Sequence, residues 1–228
     1  RALQTPLEIS HLKAIGRVNW RAAVPQMLAM MESAREDGVD VACDVYPYTA
    51  GSTQLIHVLP PECQTGGLEQ LSERLGDAAF RAQLRERMQT GEDFENISLL
   101  AGWENIRIAA LAGAEDQKYV GQSIAALAEK EGKDPFDALF DLLAREHCAV
   151  TMIDEIACED DLEAILRDGH SSIISDSIYP GSGLCHPRVY GTFVRAIERY
   201  VRERGVLTLE EAVANMTGRP AGRLGLRT

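Results

Sequence analysis

The side chains best suited to chemistry follow or end short apolar runs of the sequence, and they are His11, Asp44 and Asp176. A neutral imidazole and a carboxylate are ligands that zinc prefers, and a carboxylate beside a metal-bound water can act as a general base. His11 together with Asp176 therefore indicates metal-assisted hydrolysis. Each residue alone also fits a structural role, as a hydrogen-bonded histidine or as an aspartate that caps the next loop. For Asp44 we favour the structural role.

A second candidate is Arg188, which follows a loop rich in glycine and proline. The planar guanidinium can bind a carboxylate through two parallel hydrogen bonds, so Arg188 near a metal site is suited to hold a substrate carboxylate. The alternative is an ion pair between Arg188 and an acid on a neighbouring helix. The spacing of the residues leaves both interpretations open.

Hydrophobic patterning predicts the elements that position these side chains. Residues 6–10 and 39–48 predict buried strands, and the apolar spacing over residues 20–37 predicts a helix between them. This order favours parallel pairing of the two strands with a right-handed crossover. A third buried strand is predicted just before Asp176. The carboxyl ends of parallel strands meet at one edge of a sheet, so the polar groups that follow the strands are expected to converge.

The middle of the chain differs in composition, because prolines and glycines interrupt its amphipathic helical patterns. We expect a mostly helical insertion there, which also holds two short strands around a turn at Gly102. Further helices are predicted over residues 159–167, 190–203 and 209–216. The predicted division of the chain is therefore a strand–helix–strand part at residues 1–50, the insertion at 51–149, and a last strand with C-terminal helices at 150–228.

Composition excludes several classes of protein. The 228 residues carry a formal net charge of −12, which argues against nucleic acid or an anionic membrane surface as a partner. No apolar run is long enough to predict a membrane span. Five cysteines without C-x-x-C spacing favour a reducing cytoplasm over a disulfide framework. The chain begins at Arg1 rather than at a methionine, and we interpret it as a piece of a longer protein.

Five motifs occur in order along the chain: I-S-H-L-K-A, D-V-Y-P-Y-T-A-G-S-T, I-S-D-S, H-P-R-V-Y-G-T-F and L-T-L-E-E-A-V-A-N-M-T-G-R-P. Together they resemble the N-acyl-D-amino-acid deacylase (D-aminoacylase) family of the amidohydrolase superfamily. The resemblance implies an α/β fold, namely strands six to eight of a metal-dependent (β/α)8 TIM-barrel hydrolase with the insertion between strands seven and eight. It also implies one or two zinc ions and a small N-acyl amino acid as the substrate.

The resemblance assigns roles to individual residues. His11 matches a metal-ligand histidine. Asp176 matches the aspartate that binds metal, activates the metal-bound water as a general base and then protonates the leaving amine. Arg188 matches the arginine that holds the amino-acid carboxylate. Substrate contacts are implied for Lys13, Tyr46 and Ser52.

Two alternatives accompany this interpretation. The family's other metal ligands have no counterpart in this sequence, so the chain alone is expected to be inactive and to form homo-oligomers through exposed barrel edges. The second alternative is that the longer protein is a cyclic amidase or dihydroorotase-like amidohydrolase. The H-P-R-x-Y-G-T-F motif argues against that activity.

Overall fold

The protein is known from a computed structural model, which describes residues 5–91, 93–179 and 181–226. The described residues form two compact units. The first unit takes the chain up to residue 49, residues 157–177 and the chain from residue 187 onward, and the second takes residues 50–156 and 178–186. No described helix combines the length and the apolar character that a membrane span needs.

The regular elements are short and alternate along the chain. The strands are β1 Leu7–Ile9, β2 Val41–Val45, β3 Ala50–Gln54, β4 Ile106–Ala110, β5 Thr151–Glu155 and β6 Ser171–Ile173. The helices are α1 Ala23–Glu36, α2 Leu68–Arg74, α3 Ala78–Thr90, α4 Ile97–Ala101, α5 Ile124–Glu131, α6 Pro135–Arg145, α7 Glu159–Arg167, α8 Arg188–Arg195, α9 Leu209–Met216 and α10 Gly218–Arg223. A π-helical segment, Ala196–Glu203, continues α8.

The first unit is built on three parallel strands in the order β1–β2–β6. Ile9 pairs with Cys43, and Val45 pairs with Ile173. All five residues of the central strand β2 are buried, as expected for a β-branched apolar run that is covered on both faces. The parallel pairing predicted from the sequence is therefore confirmed, and it brings the carboxyl ends of the three strands to one edge of this sheet.

An apolar core covers this sheet, and its buried members come from the strands, α1, α7 and the C-terminal helices. Cys43 belongs to this core, and burial raises the pKa of its thiol to about 12. A thiol with so high a pKa is not a nucleophile at neutral pH, so Cys43 contributes to packing. The helix α9, predicted over residues 209–216, begins with a capping box, in which the side chains of Thr208 and Glu211 each accept a backbone N–H of the other residue.

The second unit contains an antiparallel sheet in the order β3–β5–β4 and a separate apolar core. The helix α6 supplies much of that core, since Leu139, Phe140 and Leu143 are fully buried. The sequence placed the insertion at residues 51–149, whereas this unit continues through residue 156 and also takes residues 178–186. The difference arises because β5, expected with the C-terminal part, pairs with β3 and β4.

One predicted strand of the second unit is wrong. The segment before Gly102 was expected to be extended, but Ile97–Ala101 is a short helix. A buried polar cluster explains the difference. Asn96 Nδ2 donates to the Met88 carbonyl at 2.6 Å, and the Ser98 hydroxyl donates to Asn96 Oδ1 at 2.7 Å. These bonds stabilise a turn at the start of the helix. One of them needs the Met88 carbonyl, which lies outside the segment whose apolar pattern predicted a strand.

Ion pairs join α3 to the α6 region of the second unit. The Asp141 carboxylate accepts from Arg81 Nη2 at 2.7 Å and from Lys133 Nζ at 2.6 Å, and Arg85 pairs with Asp134 at 2.9 Å. Burial acts to raise the pKa of Asp141, but hydrogen bonds from Lys133 and Arg81 outweigh burial, and the pKa lies below its usual value. Asp141 therefore stabilises the folded state in its ionised form.

Replacing Asp141 with asparagine is expected to lower the free energy of unfolding by about 1 kcal/mol at neutral pH. Because the folded-state pKa is lowered, this stabilisation is present above the unfolded-state pKa of about 4 and is lost as the pH falls through the folded-state pKa. Asp141→Asn should therefore lose less stability on acidification than the unchanged chain. Urea midpoints at several pH values measure this, with Glu129→Gln on the exposed side of α5 as the control. Equal acid sensitivity of Asp141→Asn and the unchanged chain would contradict the expectation.

Candidate functional site

Asp176 lies three residues beyond β6 and forms an ion pair with Arg188. Its Oδ2 atom is 2.8 Å from Arg188 Nη1, and the side chains are 32% and 2% exposed, respectively. The carboxylate is therefore open to solvent, whereas its cationic partner is buried. Arg188 begins α8, directly after Pro187, so the helix start fixes the arginine opposite the strand end. The ion-pair alternative for Arg188 applies in this structure, and the acid is Asp176 itself rather than a residue on a helix.

The ring of Tyr46 links Arg188 to Lys13. Tyr46 directly follows β2 and is buried. The Arg188 guanidinium carbon lies 4.7 Å from the ring centroid, and Lys13 Nζ lies 4.9 Å from it. A cation over an aromatic face is stabilised by about 0.5–2 kcal/mol, depending on its exposure to solvent. The structure thus brings Asp176, Arg188, Tyr46 and Lys13 together through direct contacts.

His11 follows β1 at the same edge of the sheet, and its backbone is held by Asp44. The His11 N–H donates to Asp44 Oδ1 at 2.5 Å, and the Ser10 hydroxyl donates to the same oxygen at 3.1 Å. These contacts are those of the structural role favoured for Asp44. No hydrogen bond or ion pair joins the His11 imidazole to Asp176 within the described ranges.

The backbone of both candidate metal ligands is left-handed. The φ angle is +44° at His11 and +46° at Asp176. Non-glycine residues rarely adopt this region, although aspartate and histidine do so more often than most residues. Such a conformation costs about 1–2 kcal/mol and persists only where surrounding contacts stabilise it. The two strands that flank β2 in this parallel sheet are therefore each followed by a left-handed residue whose side chain can bind a metal.

Ser52 lies in β3 of the second unit. Its hydroxyl donates to the Met152 carbonyl across the antiparallel sheet at 3.0 Å. This contact is internal to the second unit, so the structure gives Ser52 a place in that sheet. Its contact with substrate stays a prediction.

A second set of contacts around α8 was missed by sequence reasoning. The Tyr48 hydroxyl donates to the Pro187 carbonyl at 3.3 Å, and Arg195 Nε donates to the Pro47 carbonyl at 2.7 Å. A Cβ atom on Gly191 would lie 2.8 Å from the Tyr48 hydroxyl, so only glycine fits there without a shift. Burial raises the pKa of Tyr48, which favours its protonated, donating form. In the sequence, Gly191 within the predicted helix over residues 190–203 is the signal that could have indicated this close approach of Tyr48.

The donor types at the sheet edge suit zinc, which histidine nitrogen and carboxylate oxygen bind in proteins. His11 and Asp176 are two such donors. A zinc site normally needs at least three protein ligands, and no group of three or more histidine, cysteine, aspartate or glutamate side chains is placed to hold a metal in the described part of the chain. The described residues therefore fit part of a zinc site and do not complete it.

Known proteins match this chain over nearly all of its length. N-acyl-D-glutamate deacylase of Alcaligenes xylosoxydans xylosoxydans is 31% identical over 218 residues, which are 96% of this chain and 35% of that protein. D-aminoacylase of the same organism is 31% identical over 229 aligned residues, which are 99% of this chain and 36% of that protein. The chain thus spans about a third of the length of these relatives. No protein-family model matches the chain.

Solved structures agree with the sequence comparison. The crystal structure of N-acyl-D-glutamate deacylase from Bordetella bronchiseptica, complexed with zinc and a phosphonate mimic of the tetrahedral intermediate, has a TM-score of 0.69 at 30% identity. That match covers 96% of this chain and 36% of the enzyme. A D-aminoacylase structure matches with the same TM-score at 27% identity, over 97% of this chain and 36% of that enzyme. A further D-aminoacylase structure is described by its binuclear metal centre. The resemblance identified from the five motifs is confirmed.

Proposed function

We propose that this chain, which is related by sequence and fold to the N-acyl-D-amino-acid deacylases, is part of a longer zinc-dependent enzyme that hydrolyses the amide bond of N-acyl-D-amino acids. The observation that carries the proposal is the solvent-open Asp176 paired with the buried Arg188 at the carboxyl edge of a parallel sheet. Parallel α/β folds place their chemistry at this edge. The contacts of Tyr46 with Arg188 and Lys13 add to that support.

We also propose that β1, β2 and β6 are strands six, seven and eight of a (β/α)8 barrel. The support is their parallel order and the position of residues 50–156, the larger part of the second unit, between β2 and β6 in the sequence. Under this proposal residues 50–156 of the second unit are the insertion between strands seven and eight. The remaining barrel strands and metal ligands would belong to other parts of the longer protein.

Asp176 is the proposed general base and general acid. Zinc supplies an activated water and polarises the acyl carbonyl when it is bound, and His11 and Asp176 are the residues of this chain that would hold it. The Asp176 carboxylate would take a proton from the attacking water and deliver it to the nitrogen of the leaving amine. Its exposure to solvent is consistent with access by water and substrate.

Arg188 is the proposed anchor for the carboxylate of the amino acid. Its planar guanidinium has five N–H donors, and the donor on Nη1 already faces Asp176. A substrate carboxylate bound by the same guanidinium would lie beside the proposed base. Lys13, Tyr46 and Ser52 are proposed to contact the substrate. Five free cysteines support a reducing cytoplasm as the proposed compartment.

The proposed activity is tested with the complete protein that contains this chain. We expect bound zinc by elemental analysis and cleavage of N-acyl-D-amino acids in preference to N-acyl-L-amino acids, hydantoins and dihydroorotate. Preference for the cyclic amides would favour the cyclic amidase alternative and contradict the deacylase. The isolated chain of 228 residues is expected to show no turnover, because its described residues offer only part of a metal site.

A further inference from the structure

Building on the proposed function, we propose that Asp44 is a positioning residue that sets the orientation of the metal ligand His11. It acts through the backbone turn that follows β1 and does not contact the imidazole. Loss of the hydrogen bonds of Asp44 should therefore weaken metal binding even though both proposed ligands of this chain, His11 and Asp176, are unchanged.

Asp44 holds three consecutive residues of the neighbouring strand end. Its Oδ1 atom accepts from the Ser10 hydroxyl at 3.1 Å and from the His11 N–H at 2.5 Å. Its backbone carbonyl accepts from the Leu12 N–H at 2.9 Å. Asp44 lies in the central strand β2 and is only 8% exposed, so the sheet fixes its own position.

These bonds take the place of strand pairing. The ladder between β1 and β2 ends with the pair Ile9 and Cys43. Beyond that pair the chain leaves the extended conformation, and the amide of His11 needs another acceptor. The Asp44 carboxylate provides it, because a side-chain oxygen can reach an amide that the strand carbonyls no longer face.

The conformation of His11 explains why such an acceptor is needed. Its φ of +44° is left-handed, and a non-glycine residue pays about 1–2 kcal/mol for this region. This backbone angle sets the direction in which the Cα–Cβ bond leaves the chain, and the imidazole follows that bond. Hydrogen bonds on both sides of the His11 Cα, to its own N–H and to that of Leu12, oppose relaxation to an extended conformation.

The chain offers a matched control at another loop of the same unit. Asp168, which precedes β6, accepts the His170 N–H at 2.8 Å and pairs with Arg35 Nη2 at 3.3 Å. It is an aspartate of similar burial with an equivalent amide contact, and it has no contact with His11. Asp168→Ala therefore reports the general effect of removing such a carboxylate acceptor.

The first measurement is amide hydrogen exchange in this chain. In Asp44→Ala, the protection of the His11 amide relative to residues within β2 is expected to fall by about tenfold or more, since its carboxylate acceptor is lost. Asp44→Asn keeps a side-chain carbonyl oxygen and should retain most of the protection. Asp168→Ala should lower protection at His170 and not at His11. Unchanged protection of His11 in Asp44→Ala would overturn the inference.

The second measurement is zinc release from the complete protein to a chelator. Removing a residue that orients a ligand typically weakens metal binding by about 10–100-fold, so faster release of that order is expected for Asp44→Ala and not for Asp168→Ala. Asp44→Asn should restore slow release. Lost protection with unchanged zinc release would overturn the positioning role and leave the proposed activity standing. A complete unchanged protein that binds no zinc would instead overturn the proposed function, and the inference with it.

Discussion

Replacement of Asp176 with asparagine is expected to lower kcat of the complete enzyme by at least about 10³-fold, which corresponds to about 4 kcal/mol of transition-state stabilisation. The amide cannot accept a proton from water, so both proposed proton transfers are lost. Asparagine keeps the size of the side chain and an oxygen that can face Arg188 Nη1, where the carboxylate now lies at 2.8 Å. The fold should therefore persist.

Three measurements separate chemistry from stability in this variant. Steady-state kinetics on an N-acyl-D-amino acid give kcat, urea unfolding gives stability, and elemental analysis gives the zinc content. The matched control is Asp168→Asn, which alters a partly buried aspartate of the same unit that pairs with Arg35 rather than with Arg188. A kcat within about tenfold of the unchanged enzyme in Asp176→Asn would rule out Asp176 as the acid and base.

Replacement of Arg188 with methionine is expected to lower kcat/KM for N-acyl-D-amino acids by about 10²-fold or more, mainly through a higher KM. The buried guanidinium is the proposed partner of the substrate carboxylate, and truncation of one member of a buried charge pair typically costs about 2–5 kcal/mol. Methionine approximates the volume of the aliphatic stem and removes every donor. Arg188→Lys keeps the charge without the planar fork and should recover only part of the affinity.

The discriminating substrate for Arg188 is an N-acyl amine that lacks the carboxylate. Arg188→Met should leave its kcat/KM nearly unchanged if the arginine acts as a carboxylate anchor. Equal losses on both substrates would show that Arg188 acts instead through Asp176, its partner at 2.8 Å, and would contradict the anchor role. The ion pair makes this comparison necessary, since one side chain could affect both binding and chemistry.

The predictable part of the fold is the part encoded by local pattern. Apolar periodicity predicts α1 and α7, and the capping box at Thr208 and Glu211 marks the start of α9. The alternation of strand and helix is enough to predict parallel β1 and β2. The position of Asp176 beyond a buried strand could also be predicted, because a short apolar run directly precedes it in the sequence.

What could not be predicted depends on contacts between residues that are distant in the sequence. The pairing of Gly51 with Asp154 places β5 in the antiparallel sheet, and no local pattern near residue 151 distinguishes this outcome from a parallel strand. The ion pair between Asp176 and Arg188 depends on the start of α8 and on the rotamers of both side chains. From the sequence, the partner of Arg188 could be a substrate carboxylate or an acid on a neighbouring helix, and the spacing of the residues does not distinguish the two.

The left-handed turns at His11 and Asp176 also limit how these positions can change over evolution. Glycine, asparagine, aspartate and histidine tolerate this backbone region, whereas β-branched residues are strongly disfavoured there. Substitutions that preserve folding at these positions are therefore limited mainly to a few residue types, and two of those types, aspartate and histidine, can bind a metal. A lineage that lost the chemistry would be expected to drift to asparagine or glycine at these two positions. The edge of its parallel sheet would stay folded, and a few base changes would restore the lost side chains.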